Sequence, residues 1–417
     1  MLKKILLLVV FASFLFACNN DDDFVAACDS VTSVSSNSIT NNDANITWET
    51  ANSSAIYILE YGVSGFAIGS GTIISVSNTT TDLLGLDANT TYDVYIQTIC
   101  SADNVSMYTD VYSFTTLAPD VISEFRPTLS ELNLFAGSLG DLEPSPYAFY
   151  YDLNTKLFTD YAHKQRLIAL PQGEKMTYDG DGLPIFPDNT LIAKTFYYNN
   201  DETDLSLGKN IIETRILIKT DGAWETGNYK WNDAQTEAVL DTDGAVVPVT
   251  WINTEGETQN VNYEIPSETD CFTCHRTYTN KTPIGPKLRT LNFDIDGVNQ
   301  LQSLIDNNLL DGLTDVFTVN SLPKWDDTST SLDRRARAYF DINCAHCHIE
   351  GGYCEEQSIL RLSYETPYDE SNIFERKNSI EARIQNTIPE YGMPLIGTTI
   401  IHDEGVEVLL AYLDTLE

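Results

Sequence analysis

Two five-residue segments constrain this chain more than any other feature: Cys271-Phe272-Thr273-Cys274-His275 and Cys344-Ala345-His346-Cys347-His348. In each, two thiols stand three positions apart, which puts both on one side of a helical turn, and a histidine follows the second thiol directly. This is the spacing of covalent c-type haem attachment, in which two thiols reach the two vinyl groups of one porphyrin and the adjacent imidazole turns onto the iron. A pair of small-loop disulfides, or one shared four-thiolate zinc site, is also open to the cysteines alone. Neither accounts for a His after each second Cys. The expectation is two covalently bound haem c groups, with His275 and His348 as iron ligands.

Covalent haem of this kind is held outside the cytoplasm, and the N-terminus carries a matching address. Lys3 and Lys4 precede an apolar run from Ile5 to Phe16, which reads as a secretory signal and is too short for a comfortable membrane span. The end of the run, Leu15-Phe16-Ala17-Cys18, resembles a bacterial lipobox. That resemblance implies a signal peptide over 1–17, cleavage before Cys18, and lipidation of its thiol; the alternative is a plain signal with an incidental Cys. Residues 18–27 then form an acidic linker, and Asn19-Asn20-Asp21-Asp22-Asp23 resembles the tract that sends some lipoproteins to the outer face. The expected location is an anchor in the outer membrane, extending to the cell surface. With 61 acidic and 24 basic residues the formal charge is −37. Such a surface repels nucleic acid and anionic lipid, so nucleic acid is excluded as a partner. The acid is spread along the chain, so a solvated, soluble surface is the expectation, with steering of a basic redox partner protein as the functional alternative.

The chain is expected to be multidomain. From Val31 to Leu117, short alternating runs rich in Val, Ile, Thr and Tyr are punctuated by Asn, Ser, Gly and Asp, the pattern of an antiparallel β-sandwich over 28–118. Trp48, the run Tyr57 to Tyr61, and Leu86, Thr91 and Tyr92 in LLGLDANTTYDVYIQTIC resemble a fibronectin type III module. Cys28 and Cys100 within it are expected to form a disulfide in an oxidising compartment. Residues 121–266 read as a β-rich middle domain, with LIAKTFYYN, IIETRILIK and VVPVTWIN as strands. Asp179-Gly180-Asp181-Gly182 and Asp241-Thr242-Asp243-Gly244 are read as hairpin turns; a calcium-loop reading lacks its terminal Glu. After Pro266 the pattern turns helical: a first haem segment over 267–330, then a mainly α region over 331–417. There SLDRRARAYFDIN runs straight into the second motif, and DEGVEVLLAYLDTL closes the chain as an amphipathic helix.

A helix, then Cys344 to His348, then Tyr391-Gly392-Met393-Pro394 and a closing helix resemble, in that order, the class I cytochrome c fold. The resemblance implies that His348 is the proximal ligand and Met393 the distal one; Met393 as an ordinary core residue is the alternative. The first motif has a strand and turn before it, and no Met lies between His275 and Cys344. Its distal ligand must come from His163, Met176, His346 or His402, and His163 and Met176 are preferred as the middle domain's contribution. Cys354 is left over. LNLFAGSL, PYAFYYDLNTKLFTDYAHKQRLIALP, IAKTFYYNND, YKWNDAQTEAVL and RARAYFDINCAHC also resemble a family of exported bacterial dihaem cytochromes, from Thr128 to Glu417. That resemblance implies covalent haem at both motifs and electron transfer as the role. The rival expectations are a dihaem peroxidase or oxidase with an open first haem, and an adhesion or glycan-binding lipoprotein in which the haems are auxiliary.

Overall fold

The structure, a computed structural model, describes residues 27–52 and 55–416. The signal segment, Cys18 and nearly all of the acidic linker lie outside the described residues. The chain divides into two compact units, Met1–Pro119 and Asp120–Glu417.

The first unit is a two-sheet sandwich. Strands β1 (Thr32–Asn37), β2 (Asp43–Glu49) and β5 (Thr80–Leu84) form one sheet, in the order β1-β2-β5. The other runs β4 (Thr72–Val76), β3 (Ile56–Val63), β6 (Thr91–Ser101), β7 (Asn104–Val105), with β8 (Tyr112–Thr115) also pairing β6. Alternate residues point inward, so Ile46 and Trp48 meet Leu59, Leu83, Val94 and Ile96 in a single core. The Tyr92 hydroxyl accepts the backbone N–H of Asp87 at 2.9 Å, fastening the turn that precedes β6. Cys28 and Cys100 are joined by a disulfide, with Cα atoms 5.8 Å apart, so the segment before β1 is tied to the end of β6.

The second unit is built on a six-stranded antiparallel sheet. Its strands are β9 (Ala148–Tyr150), β10 (His163–Ala169), β12 (Leu191–Asn199), β13 (Lys209–Thr220), β14 (Ala223–Trp231) and β15 (Ala238–Asp241), in the order β15-β14-β13-β12-β10-β9. The two-residue β11 (Met176–Thr177) lies apart and pairs with Leu310–Asp311. A hairpin of β16 (Ala245–Ile252) and β17 (Thr258–Ile265) stands beside the sheet. The helices follow: α1 (Glu268–His275), α2 (Leu288–Leu291), α3 (Gln300–Asp306), α4 (Leu332–Asn343), α5 (Tyr368–Ser371), α6 (Ile373–Ile384) and α7 (Asp403–Asp414). No described helix is long and apolar enough to cross a membrane.

Both faces of the six-stranded sheet are covered, and this decides the domain plan. On one face Leu167, Ala193 and Ile216 pack against Leu129, Leu132 and Leu142 of the preceding segment. On the other, Ile168, Ile192 and Leu217 pack against Leu288, Leu291 and Leu301, and Ile342 of α4 joins them. Residues 121–266 and 267–330 therefore share one core rather than forming separate compact domains. The physical reason is that a sheet apolar on both faces stays exposed on one until the later segment covers it. The Asp241–Gly244 turn differs from its hairpin reading as well: it carries the chain from β15 in the large sheet to β16 in the hairpin. At the other turn, Thr177 and Ile185 exchange two backbone hydrogen bonds at 2.9 Å, so the chain does double back around 179–182.

Helices α4, α6 and α7 close on a core of their own, where Ala336, Tyr339 and Phe340 meet Ile380, Ile384, Leu409 and Leu413. The contact between α4 and α7 needs Gly405, because a Cβ there would stand 2.3 Å from the Tyr339 ring. Gly405→Ala is expected to cost about 1–3 kcal/mol by overpacking, read as an earlier urea unfolding midpoint at unchanged slope. An unchanged midpoint would mean that the helices do not approach each other at this point.

Candidate functional site

The first motif sits on α1 itself; the strand expected before it is there as β17, and the residues expected as a turn, Glu268 to Asp270, are the first turn of the helix. Strand β17 ends at Ile265, and Ser267 then caps the helix through a reciprocal box: its hydroxyl accepts the Asp270 N–H, and the Asp270 carboxylate accepts the Ser267 N–H at 3.0 Å. The cap starts the helix one turn before Cys271, so Cys271 and Cys274 fall on one side of a helix that packs against β14. His275 ends the helix. Its Nδ1–H donates to the Thr282 carbonyl at 2.8 Å, while its own carbonyl accepts the Thr282 N–H at 2.7 Å. The ring is thereby fixed in one tautomer with Nε2 left over, the arrangement an imidazole adopts as a metal ligand. Desolvation pushes it down to about 3, so it is neutral.

The second motif follows α4 without a break. The N–H groups of Cys344 and Ala345 both donate to Phe340 O at 2.9 Å, and those of Cys347 and His348 return to Cys344 O at 3.2 and 3.0 Å. The turn is closed by its own backbone, and Leu362 N–H holds His348 O at 2.9 Å. Burial pushes His348 down to about 4. A cavity of about 370 Å³ is lined by Cys344, His348, Leu360, Ile380 and Met393. A second, of about 340 Å³, shares Cys344 and Met393 with it and reaches Phe158, Tyr339 and His402. Each has the size of a small-molecule site. Met393 projects from the loop between α6 and α7, where its N–H donates to Arg383 O at 3.1 Å. The loop comes in close at Gly392, whose hypothetical Cβ would lie 2.1 Å from Asn386 O.

Although the motifs lie about 70 residues apart in sequence, the fold brings them together. Cys274 and Cys347 are hydrogen-bonded through their side chains, and this bond, with a lesser one to His346, pushes the Cys274 thiol down to about 5 against the effect of burial. Cys347 is pushed up by the bonds it gives to Cys274 and Cys354. Burial alone pushes Cys344 up to about 12 and, as the leading cause, Cys271 up to about 11. Cys271, Cys274, Cys344, Cys347 and Cys354 are all free thiols. The leftover Cys354 is thus placed at the second motif.

The four candidates for a further iron ligand separate clearly. His163 lies on β10, partly exposed, with Nε2 2.6 Å from Glu202, and Met176 is fully buried in the core beneath the sheet. Neither lines the cavities around the motifs. His402 stacks on Phe158 at 4.1 Å and bonds the Tyr339 hydroxyl at 2.9 Å, on the side of the second motif. His346 alone reaches the first motif: it contacts Cys274, lines a small cavity with His275, and its buried Nδ1 has no hydrogen-bond partner. Its place inside the second motif was the only sequence signal for this, and spacing cannot show that one motif faces the other.

These residues fit two haem groups. Each motif offers two thiols and a neutral imidazole, and a histidine already held by a carbonyl, as His275 is, presents its other nitrogen outward. Among the described residues no group of three or more His, Cys, Asp and Glu side chains is placed to hold a bare metal ion. An iron held by a porphyrin needs protein ligands only along its axis.

The relative position of the motifs is set by a buried charge. Asp341 of α4, fully buried, accepts from Arg289 at 2.8 Å, from Lys287 at 3.2 Å and from the Tyr364 N–H at 3.0 Å. Burial by itself raises such a carboxyl; here the two cations and the N–H reverse the effect and hold it below the usual range. Lys287 is itself pushed down by desolvation, which Asp341 offsets only in part, so Arg289 is the firm partner.

No family model matches the chain, and no curated protein matches it. Among solved structures it is similar to the FN1-FN3 domains of chicken CNTN1, at 17% identity over 22% of this chain and 31% of that one, with a TM-score of 0.20. It is likewise similar to domains d3-d4 of the rat CD45 extracellular region, at 17% identity over 22% of this chain and 51% of that one, TM-score 0.19. The FN5 domain of Drosophila Lar is matched over its full length, 100%, at 12% identity and a TM-score of 0.19. The chain spans about a third of the chicken structure and about half of the rat one. These neighbours are fibronectin type III-like β-sandwich domains.

Because Asp341 titrates low, its contribution to stability is present above about pH 4 and is lost as pH falls through its folded value. Asp341→Asn is expected to cost up to about 3–5 kcal/mol at neutral pH, since it leaves Lys287 without its carboxylate and the buried Arg289 with the more exposed Glu365 as its remaining ion-pair partner. The variant should also lose part of the acid dependence of unfolding. Equal acid sensitivity in both proteins, followed by urea unfolding from pH 3 to pH 7, would remove Asp341 from this role.

Proposed function

We propose that the chain is a dihaem c-type cytochrome that transfers electrons in the bacterial cell envelope, held to the outer membrane by a lipid on Cys18. The observation that carries this reading is the meeting of Cys274 with Cys347, which joins two Cys-x-x-Cys-His segments distant in sequence. Each sulfur would be a tether of one haem, so the tethered edges of the two groups would be neighbours. Each haem iron, when bound, takes up and releases a single electron. The chain's own residues hold the groups by four thiols, keep His275 and His348 neutral as ligands, and bring Met393 to the second iron. A thioether ligand favours the ferrous state and raises the potential, which suits a carrier. The packing of α4 and α7 around Gly405, with the Met393 loop between α6 and α7, supports the class I cytochrome c reading of the C-terminal region. For the first iron, His346 takes precedence over His163 and Met176 as the sixth ligand, because it alone of the three stands at the motif. The sandwich unit serves as a spacer from the membrane, and the acidic surface receives basic redox partner proteins.

The experiment is a haem count with optical and electron paramagnetic resonance spectra on protein matured in a cytochrome c-producing host. Two covalent haems per chain are expected, both low-spin, with a Met-to-iron charge-transfer band that Met393→Leu abolishes. His346→Ala should convert one haem to high-spin. A chain without covalent haem sinks the proposal. One high-spin haem in the unaltered protein, unaffected by His346→Ala, would transfer it to the open-site peroxidase or oxidase reading.

A further inference from the structure

The sheet face that looks toward the first motif carries a row of charge where apolar residues would be expected. Antiparallel pairing sets Arg166 opposite Lys194, Lys194 opposite Arg215, and Arg215 opposite Asn228, so these four side chains share one face in a single cross-strand line. On that same face, Ile168, Ile192 and Leu217 lie two residues to one side, in one apolar cluster. Phe196 lies to the other side, in a second cluster with the β16–β17 hairpin. Three cations directly opposite one another repel, and each is costly to remove from water without a partner.

Two of the three are matched. Arg166, almost fully buried, bonds Asp152 at 2.8 Å, and Arg215 bonds the buried Glu213 through Nε at 3.0 Å, with Glu213 also taking the Tyr263 hydroxyl at 2.6 Å. Lys194 makes no ion pair or side-chain hydrogen bond among the described residues. Beside it in the next row, Lys164 donates only to the Ala162 carbonyl, at 3.1 Å. At the end of the line Asn228, 2% exposed, has both amide atoms unpaired. A buried amide with neither its N–H nor its C=O satisfied marks a place where something else bonds. Lys194 is close enough to Cys274 and to His275 for their charges to interact, and Arg215 stands in the same relation to Cys271 and His275. The unmatched charge is therefore at the first motif.

We infer that the line Arg166–Lys194–Arg215–Asn228 is the seat for the carboxylate side chains of the group tethered at Cys271 and Cys274, with Lys194 the cation that neutralises them. The inference rests on the haem reading of that motif. A c-type haem brings two carboxylates, and the row with its neighbour Lys164 has two ammonium groups that form no ion-pair contact, although Lys194 feels the charge of Glu213 and Lys164 that of Asp160. The sheet thus does more than support α1: it fixes the charge around the first haem, and a nearby positive charge favours the ferrous over the ferric state. The two tethered sites then differ by construction, one tuned by a thioether ligand and the other by a partly buried ammonium.

The test uses the full chain matured with haem, with covalent haem counted per chain, attachment peptides identified by mass, and midpoint potentials read by spectroelectrochemistry. Lys194→Met removes the charge at similar volume, and Lys194→Arg keeps it. The expected result is a lower midpoint for the haem at Cys271 and Cys274 in Lys194→Met, or loss of that haem alone, with the unaltered value restored in Lys194→Arg. The midpoint of the haem at Cys344 and Cys347 should move less than the first. Two haems per chain with both midpoints unchanged in Lys194→Met overturns this inference and leaves the haem reading standing. An unaltered chain with no haem at Cys271 and Cys274 overturns the haem reading, and this inference with it.

Discussion

The second unit is organised around one buried carboxylate. Asp341 gathers Arg289 and Lys287 from the stretch after the first motif and the Tyr364 N–H from the stretch after the second, while itself belonging to the helix that leads into the second motif. An ion this deep is stable only when its partners are all in place. Its geometry therefore makes three chain segments mutually dependent, and these are the segments that flank the two motifs.

Around this anchor the sheet divides its labour by face. The face against Leu129, Leu132 and Leu142 is mainly apolar, and its polar pair, Thr195 and Thr214, is satisfied within the sheet by a mutual hydroxyl bond at 2.9 Å. The opposite face is apolar at both ends and charged across its middle, where Arg166, Lys194 and Arg215 lie in line. Such a break in an apolar face costs stability, and it coincides with the first Cys-x-x-Cys-His segment. A smaller carboxylate joint repeats the theme: Asp160 accepts the Thr399 N–H at 2.9 Å and its hydroxyl at 2.8 Å, tying the sheet side of the unit to the loop that follows Met393.

Much of this was legible from local pattern. The two motifs declare themselves by spacing, α4 by Ala336, Tyr339 and Phe340 on one face, and α7 by Leu409 and Leu413. The strands LIAKTFYYN and IIETRILIK lie where alternation put them. The helical character of the first motif was written in Ser267 and Asp270, a capping pair three residues apart, but a short helix after a strand is easily read as a turn. What pattern could not convey is which residues from distant segments face each other. His163 and Met176 were reasonable ligands by residue type, yet one is paired with Glu202 and the other is sealed in the core, while His346 reaches Cys274.

The sequence by itself determined the chemistry available: thiols, imidazoles and a thioether at fixed local spacing, on segments whose periodicity selects helix or strand. Only the tertiary structure decided how that chemistry is combined. It placed the two motifs side by side, moved Cys354 beside Cys347, and turned three lysines and arginines from separate strands into one row. The physical reason is that spacing along a chain is set by covalent geometry, whereas proximity across it is set by which apolar faces and buried charges must be covered at once.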